Sequence, residues 1–246
     1  MFSPLEQFDV VLVAPLTINL GFMVLETSLF HGSLILLFLV IFIYILAYWV
    51  GTTATLVPKG YQIVVEQGFS LVLGLLKGQT GERGYMYLPF VMSIFVFILL
   101  ANLFSLLPFS FALTSHIINI VFLTITLISS LFLIGCINFG FQFMKLFIPE
   151  SPFILLFLLI PIEIFSYIIR AFSMALRLSA NIMAGHTLVF IVSGFLLKLS
   201  TVFMVVSSLI LLAIFFLEFG VALLQAYVFT VLFCIYLRES LYEPQH

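Results

Sequence analysis

The stretch that decides the fold is Glu163–His186, EIFSYIIRAFSMALRLSANIMAGH. Most of its polar residues recur every three or four positions, close to one turn of an α-helix, so they share one helix face: Glu163, Ser166, Arg170, Ser173, Arg177 and Asn181. An ionised side chain at the centre of a bilayer costs about 2.5–3.5 kcal/mol on insertion scales, and such residues usually mark a pathway for an ion or substrate. This polar stripe therefore predicts a protein that moves a charge.

The composition indicates that most of this chain is surrounded by lipid. Of its 246 residues, 64% are apolar and 7% are charged, and the mean hydropathy is +1.37. Soluble domains carry about 25% charged residues, so a soluble protein is excluded. The net charge of −2 comes without a basic tract, so nucleic acid is excluded as a partner. We therefore expect an all-α, polytopic integral membrane protein that has the lipid bilayer as its partner.

The first half of the chain divides into four parts of one predicted membrane domain, 1–246. An N-terminal segment, 1–32, precedes a first span at 33–57, whose core is an uncharged run. Region 58–84 places polar residues at helical spacing against an apolar face, which predicts an amphipathic helix in the membrane interface. Region 85–137 is free of charge and is interrupted near Pro108, which predicts a transmembrane hairpin.

The last third, 153–237, contains two helices that are too long for upright spans. Phe153–Leu197 would be about 67 Å long at 1.5 Å per residue, against a hydrocarbon core of about 30 Å. Either this helix breaks near Gly185 or Gly194, or it lies steeply tilted. Because the second arm, Val202–Leu237, is also overlong, the pattern favours a tilted antiparallel hairpin that turns around Lys198–Thr201.

An antiparallel hairpin brings together residues whose numbers have a constant sum. Arg177 and Gln225 sum to 402, and His186 and Glu218 sum to 404, which matches a turn near residue 201. The internal charges of the two arms would then meet polar partners. We expect His186 and Glu218 to form a proton relay, or else a buried hydrogen bond without a role in transport.

Small residues recur every four positions on the first arm, at Ala171, Ala175 and Ser179. They predict a face for close helix approach, either within this chain or on a partner. No histidine has an i+3 or i+4 histidine partner and neither cysteine has ligand spacing, so we expect no metal site and no cofactor.

Basic residues predict the orientation of the chain in the membrane. Lys59, Lys77 and Arg83 lie in one loop, and Lys145 and Arg238 return to the same side if there are five crossings. The N-terminus would then lie on the opposite side. Of the basic residues, Lys198 violates this bias.

With these residues in view, the sequence resembles subunit a of F-type ATP synthases over nearly its whole length. The block Arg177–His186, RLSANIMAGH, is similar to the signature around the essential arginine of that family. Further similarities are the polar positions of the same helix, Asn102 ahead of Leu106–Pro108, and the segments Leu224–Phe229, LQAYVF, and Ile235–Leu237, IYL. The opening Ser3–Phe8, SPLEQF, is similar to mitochondrial members.

The resemblance implies a stator subunit that passes protons to a rotating ring of c subunits. It implies an entry path along His186, Glu218, Asn181 and Asn102, and an exit path at Glu163 and Ser166, near Arg170 and Ser173. Arg177 would separate the two half-channels, and Gln225 would hold its guanidinium group. The subunit would be non-catalytic, with no ATP chemistry of its own.

The resemblance also implies the partners and the location of the chain. Its partners would be the c ring, the peripheral stalk and other membrane subunits. Its location would be the mitochondrial inner membrane, with the C-terminus on the matrix side and the N-terminus on the intermembrane-space side.

Two positions depart from the bacterial pattern of the family. Ser105 stands where bacterial members often carry a carboxylate, and the histidine–glutamate pair has its two residues exchanged, as in mitochondrial members. Two other classes of function use the same buried charges. A secondary proton-coupled transporter would show an internal repeat or paired broken helices, which we do not see. A membrane subunit of a respiratory complex would hold Arg177 in an ion pair.

Overall fold

The computed structural model describes residues 12–19, 24–53, 55, 58–106, 117–140, 143, 153–196 and 201–242. Several sequence features lie outside these residues, namely Ser3–Phe8, Pro108–His116, Lys145, Lys198 and His246. The predicted turn at Lys198–Thr201 also lies outside them, except for Thr201, which begins a helix.

The described chain is built mainly from helices, and the predicted all-α polytopic membrane fold is confirmed. The helices are α1 (His31–Thr53), α2 (Gly60–Thr80), α3 (Leu88–Ser105), α4 (Ile117–Phe139), α5 (Phe153–Leu196) and α6 (Thr201–Leu241), with a 3-10 helix at Gly81–Tyr87 between α2 and α3. Within the described residues, four helical stretches are long and apolar enough to cross a membrane: Gln62–Ser105, Ile117–Phe139, Leu156–Gly194 and Val205–Leu241. Helix α1 adds a shorter apolar stretch, Leu36–Trp49.

A strand pair precedes the helices and was not predicted. Strands β1 (Leu12–Asn19) and β2 (Val24–Phe30) pair in antiparallel register, with Pro15 opposite Ser28. Proline has no backbone N–H to donate to a neighbouring strand, and a two-stranded ribbon leaves one edge of each strand free to accommodate it.

The two long arms are continuous helices. Helix α5 has 44 residues and runs unbroken through Gly185, and α6 has 41 residues. Pro161 lies inside α5, where it removes one backbone hydrogen bond. The breaks considered near Gly185 and Gly194 are absent from the described helix. The tilt of the hairpin, the interfacial position of region 58–84 and the single-domain organisation stay predictions.

The described chain forms two compact units. The first takes its residues from Met1–Ala54, Phe97–His116 and Ala180–Leu224. Its core joins α1 to α3, where Leu39 is almost fully buried with Ala101. The rings of Phe38 and Phe42 meet the Phe104 ring edge-on, at centroid distances of 5.7 and 5.3 Å. Aromatic pairs of this geometry add to the free energy of apolar burial.

The second unit takes its residues from Thr55–Val96, Ile117–Ser179 and Gln225–His246. Its buried residues recur at helical spacing on three helices, which defines a packed face on each: Val72 and Leu76 on α2, Val91 and Phe95 on α3, and Ala226, Phe229, Phe233 and Leu237 on α6. On α4, Gly135 leaves the space taken by the Phe143 ring, since an added Cβ would clash with that ring.

The last turn of α6 is attached to two other helices within the second unit. Asn138 on α4 donates to the carbonyl of Ser240 over 3.3 Å, and the hydroxyl of Tyr242 donates to the carbonyl of Thr80 over 2.8 Å. The guanidinium of Arg83 lies 5.2 Å from the centre of the Tyr242 ring. Gly81 has a φ of 61°, which side chains other than glycine rarely adopt. We call Thr80, Arg83 and Tyr242 the C-terminal clasp.

Candidate functional site

The polar stripe of α5 lies largely on the exposed surface of the second unit. Glu163, Arg170, Ser173 and Arg177 are exposed, and Ser166 is half-buried. The adjoining face of α5 is buried, at Met174, Ala175, Leu178 and Ser179. Arg177 therefore projects from a helix whose other side packs within the protein.

The small residues of α5 pack within this chain. Ala175 and Ser179 are both almost completely buried. Of the two possibilities left open by the sequence, close approach within the chain and close approach to a partner, the structure selects the first for these two residues. The side chain of Ala171 lies outside the part of the chain that is described.

Arg177 is an exposed cation in the middle of a long apolar helix. Among the residues that the structure describes, it makes no ion pair and no hydrogen bond. Gln225 belongs to the same unit and is buried, but no hydrogen bond between it and Arg177 occurs among those residues. The contact expected between these two side chains stays a prediction.

Arg170, in contrast, has three neighbours from α5 and α6. Its guanidinium Nη1 lies 3.9 Å from Oε1 of Glu239, and its Cζ lies 5.8 Å from the centre of the Tyr236 ring. The Tyr236 ring in turn meets the Tyr167 ring edge-on, with centroids 5.0 Å apart. Glu239 also lies within electrostatic range of Glu163. We call Tyr167, Arg170, Tyr236 and Glu239 the arginine–tyrosine cluster.

The other polar cluster lies in the first unit, where α3, α5 and α6 meet. Asn102 is completely buried, and its Nδ2 donates to the carbonyl of Ala222 over 3.4 Å. The hydroxyl of Ser105 donates to the carbonyl of Asn102 over 2.6 Å. The imidazole of His186 hydrogen-bonds to the backbone of Ser105. Ser105 therefore belongs to this cluster although it lacks a carboxylate.

Glu218 completes this cluster from α6, one helical turn before Ala222. Its carboxyl group lies against Gly185, the residue before His186, since an added Cβ at that glycine would be 2.9 Å from Oε1. Buried oxygen atoms without a hydrogen-bond donor are rare in folded proteins. Here Oε1 of Glu218 and Oδ1 of Asn102 are both buried without a partner among the described residues. We call Asn102, Ser105, His186 and Glu218 the buried cluster.

Two observed contacts between α5 and α6 can be compared with the predicted register. Residues 167 and 236 sum to 403, and residues 185 and 218 also sum to 403. These sums lie between the 402 and 404 of the predicted pairs. Asn181, the remaining predicted site residue, is exposed on α5 within the first unit.

Sequence reasoning missed three members of the arginine–tyrosine cluster, Tyr167, Tyr236 and Glu239. The register rule places Leu232–Cys234 opposite Arg170, whereas its acidic partner Glu239 lies more than one turn further along α6. Arginine and glutamate side chains are long enough to span such an offset, which a rule based on backbone register does not include. The signal for Tyr236 was its place in the segment Ile235–Leu237.

Comparisons with known proteins give the family of the chain. The family model described as ATP synthase A chain matches residues 32–238. The chain is 37% identical to ATP synthase subunit a of Chondrus crispus, over 97% of this chain and 96% of that protein. It is 38% identical to the protein of the same name from Acanthamoeba castellanii, over the full length of both.

The similarity extends to Rhodospirillum rubrum, whose ATP synthase subunit a is 35% identical over 98% of this chain and 99% of that protein. The matched region contains every residue of the buried cluster and the whole polar stripe of α5. A match of this extent, together with the helical membrane fold, identifies the family. The chain belongs to the ATP synthase A chain family.

Proposed function

We propose that this protein is the proton-translocating stator subunit of a rotary F-type ATP synthase. It assembles with a ring of c subunits, the peripheral stalk and other membrane subunits. Two half-channels lead protons to and from the ring, and Arg177 separates them. The observation that carries the proposal is the exposed Arg177 on an apolar helix, without an ion pair among the described residues.

An exposed cation in hydrocarbon requires a counter-ion, and none lies beside Arg177 among the described residues. Leaving Arg177 in lipid costs about 2.5–3.5 kcal/mol or more. The acidic residue of its own polar stripe, Glu163, lies fourteen positions away, which is about 21 Å along the helix. A carboxylate on an adjacent c subunit supplies the missing anion. Arginine suits this position because it keeps its charge at every physiological pH and so repels protons from the boundary between the two half-channels.

The buried cluster supplies the entry path. Glu218 carries an exchangeable proton, and its Oε1 is buried without a hydrogen-bond partner among the described residues, which leaves that atom open to water or to a moving proton. Asn102 offers a second open acceptor, Oδ1, on the neighbouring helix. His186 accompanies Glu218 as the second titratable group, and Asn181 lies further along the path.

The polar stripe of α5 supplies the exit path. Glu163 accepts the proton that leaves the ring, and Ser166 and Ser173 line its path. Arg170 lies among them and is held by Glu239 and Tyr236. Each proton that crosses is driven by about 2.3 kcal/mol per 100 mV of membrane potential.

The location of the protein follows from the same proposal. We assign it to the mitochondrial inner membrane, with the C-terminus in the matrix and the N-terminus in the intermembrane space. The exchanged pair His186 and Glu218 and the opening segment Ser3–Phe8 support a mitochondrial rather than a bacterial origin.

The deciding experiment replaces Arg177 by alanine in the assembled complex. We expect proton-driven ATP synthesis to be lost, because the ring carboxylate then has no counter-ion and protons cross without rotation. Proton leak and ATP synthesis are measured in membrane vesicles, and the amount of assembled complex is measured by immunoblot. Lys77→Ala, which removes an exposed cation from α2, is the control and should keep both activities. Full coupled synthesis in Arg177→Ala would refute the role of this residue.

A further inference from the structure

We infer that Gly185 is a positioning residue for Glu218: the absence of a side chain at 185 creates the space in which the carboxyl group of Glu218 stands. This inference rests on the proposed function, in which Glu218 carries the entering proton. It adds to that function the reason why the carboxyl group stands where it does.

The distances leave no room for a methyl group at this position. A Cβ on Gly185 would lie 2.9 Å from both Cδ and Oε1 of Glu218, and 3.1 Å from its Cγ. These three atoms, the nearest ones, all belong to the end of one flexible side chain and not to backbone. A side chain at 185 would therefore displace the carboxyl group and leave α5 and α6 in place.

Glycine at this position is not explained by helix formation. Inside a helix, glycine is less favourable than alanine. Gly185 lies within the continuous helix α5, and no left-handed backbone angle requires a glycine there. The close approach of Glu218 is the feature that accounts for it.

The neighbourhood offers the carboxyl group few other restraints. Oε1, one of the atoms nearest the would-be Cβ, is buried and has no hydrogen-bond partner among the described residues. The next residue on α5, His186, is held through the backbone of Ser105. One turn of α5 therefore sets the positions of both titratable groups, His186 by a hydrogen bond and Glu218 by the shape of Gly185.

The same helix provides a matched control. Gly194 also lies in α5, but an added Cβ there would meet no other side chain of the described residues within 4 Å. Replacement of either glycine by alanine changes helix propensity in the same direction. A difference between the two variants then reports the contact with Glu218.

The experiment compares Gly185→Ala, Gly194→Ala, Glu218→Asp and the double variant Gly185→Ala/Glu218→Asp in the whole complex in membrane vesicles. ATP synthesis is expressed per assembled complex. We expect Gly185→Ala to lower it by about tenfold or more, because an error of about 1 Å in the position of a reacting group can cost up to a hundredfold. Gly194→Ala should keep the parental rate.

The double variant tests the mechanism itself. Aspartate is one methylene shorter than glutamate, so it withdraws the carboxyl group from the added methyl. Glu218→Asp alone should lower ATP synthesis. The double variant should synthesise ATP several-fold faster than Gly185→Ala alone. If Gly185→Ala impairs assembly, the double variant should restore assembly for the same reason.

Three outcomes would overturn the inference: a parental rate in Gly185→Ala, equal losses in Gly185→Ala and Gly194→Ala, or a double variant no better than the worse single variant. Glu218→Gln separates this inference from the proposed function. If Glu218→Gln loses coupling while Gly185→Ala is silent, the positioning role fails and the entry path stands. If Glu218→Gln keeps full coupling, the entry path itself fails.

Discussion

The buried cluster and the exposed stripe carry similar residue types in opposite environments. In the first, Glu218 is half-buried with its carboxyl group against Gly185 of α5, and its buried Oε1 has no partner among the described residues. In the second, Glu163 and Arg177 are exposed on α5. The position of a buried polar group depends on its neighbours within the chain. The surroundings of an exposed polar group are lipid, water or a partner.

We therefore expect the residues of the two regions to be sensitive to different changes. Residues of the buried cluster should be sensitive to small changes of shape, as proposed for Gly185. Residues of the exposed stripe should be sensitive to what covers them in the assembled complex, as proposed for Arg177. The following predictions test that division, beginning with the largest effect.

The two isosteric substitutions Glu218→Gln and Glu163→Gln should show the largest difference in ATP synthesis. Positioned acid–base groups contribute about 10²–10⁴-fold, so we expect Glu218→Gln to lower proton-driven ATP synthesis by about a hundredfold and Glu163→Gln by less than about tenfold. The physical reason is that water replaces an exposed carboxylate more readily than one with a buried oxygen atom, such as Oε1 of Glu218. Initial rates of ATP synthesis in vesicles, normalised to assembled complex, measure both. Equal losses would remove the distinction between the two regions.

Glu239→Gln should have an intermediate effect on proton-driven ATP synthesis. The pair with Arg170 spans 3.9 Å, and 44% of the Arg170 side chain is exposed. Exposed ion pairs contribute about 0–1 kcal/mol, which corresponds to a change of at most about fivefold. Glu82→Gln, which changes an exposed carboxylate of the 3-10 helix, is the control for loss of charge and should be silent. A loss as large as that of Glu218→Gln would show that Glu239 acts directly on the proton.

Tyr242→Phe should have the smallest effect and should act on stability alone. It removes the hydroxyl that donates to Thr80 but keeps the ring beneath Arg83, so we expect a loss of about 1 kcal/mol. Thermal unfolding of the purified complex measures this loss, with Tyr85→Phe on the exposed surface as control. If Tyr242→Phe also lowered ATP synthesis per complex, the C-terminal clasp would have to set the position of the exit path as well.

Much of the fold was predictable because membrane insertion is decided locally. Long apolar runs predict helices α4, α5 and α6, and the spacing of polar residues in Glu163–Asn181 predicts their common face. The N-terminal strand pair was not predicted, because segment 1–32 lacks the regular alternation that marks a strand. The overlong arms were predicted, but only the structure excluded a break at Gly185.

The sequence alone therefore determined the membrane class, the helical arms, the polar stripe around Arg177 and the resemblance to the family, since each depends on local hydrophobicity or on short motifs. Only the tertiary structure decided which polar groups are enclosed and which are exposed. The pairing of Arg170 with Glu239, the partnerless oxygen of Glu218 and the space left by Gly185 all depend on how two helices approach each other. Such distances are set by side-chain length and helix packing, and neither periodicity nor composition contains them.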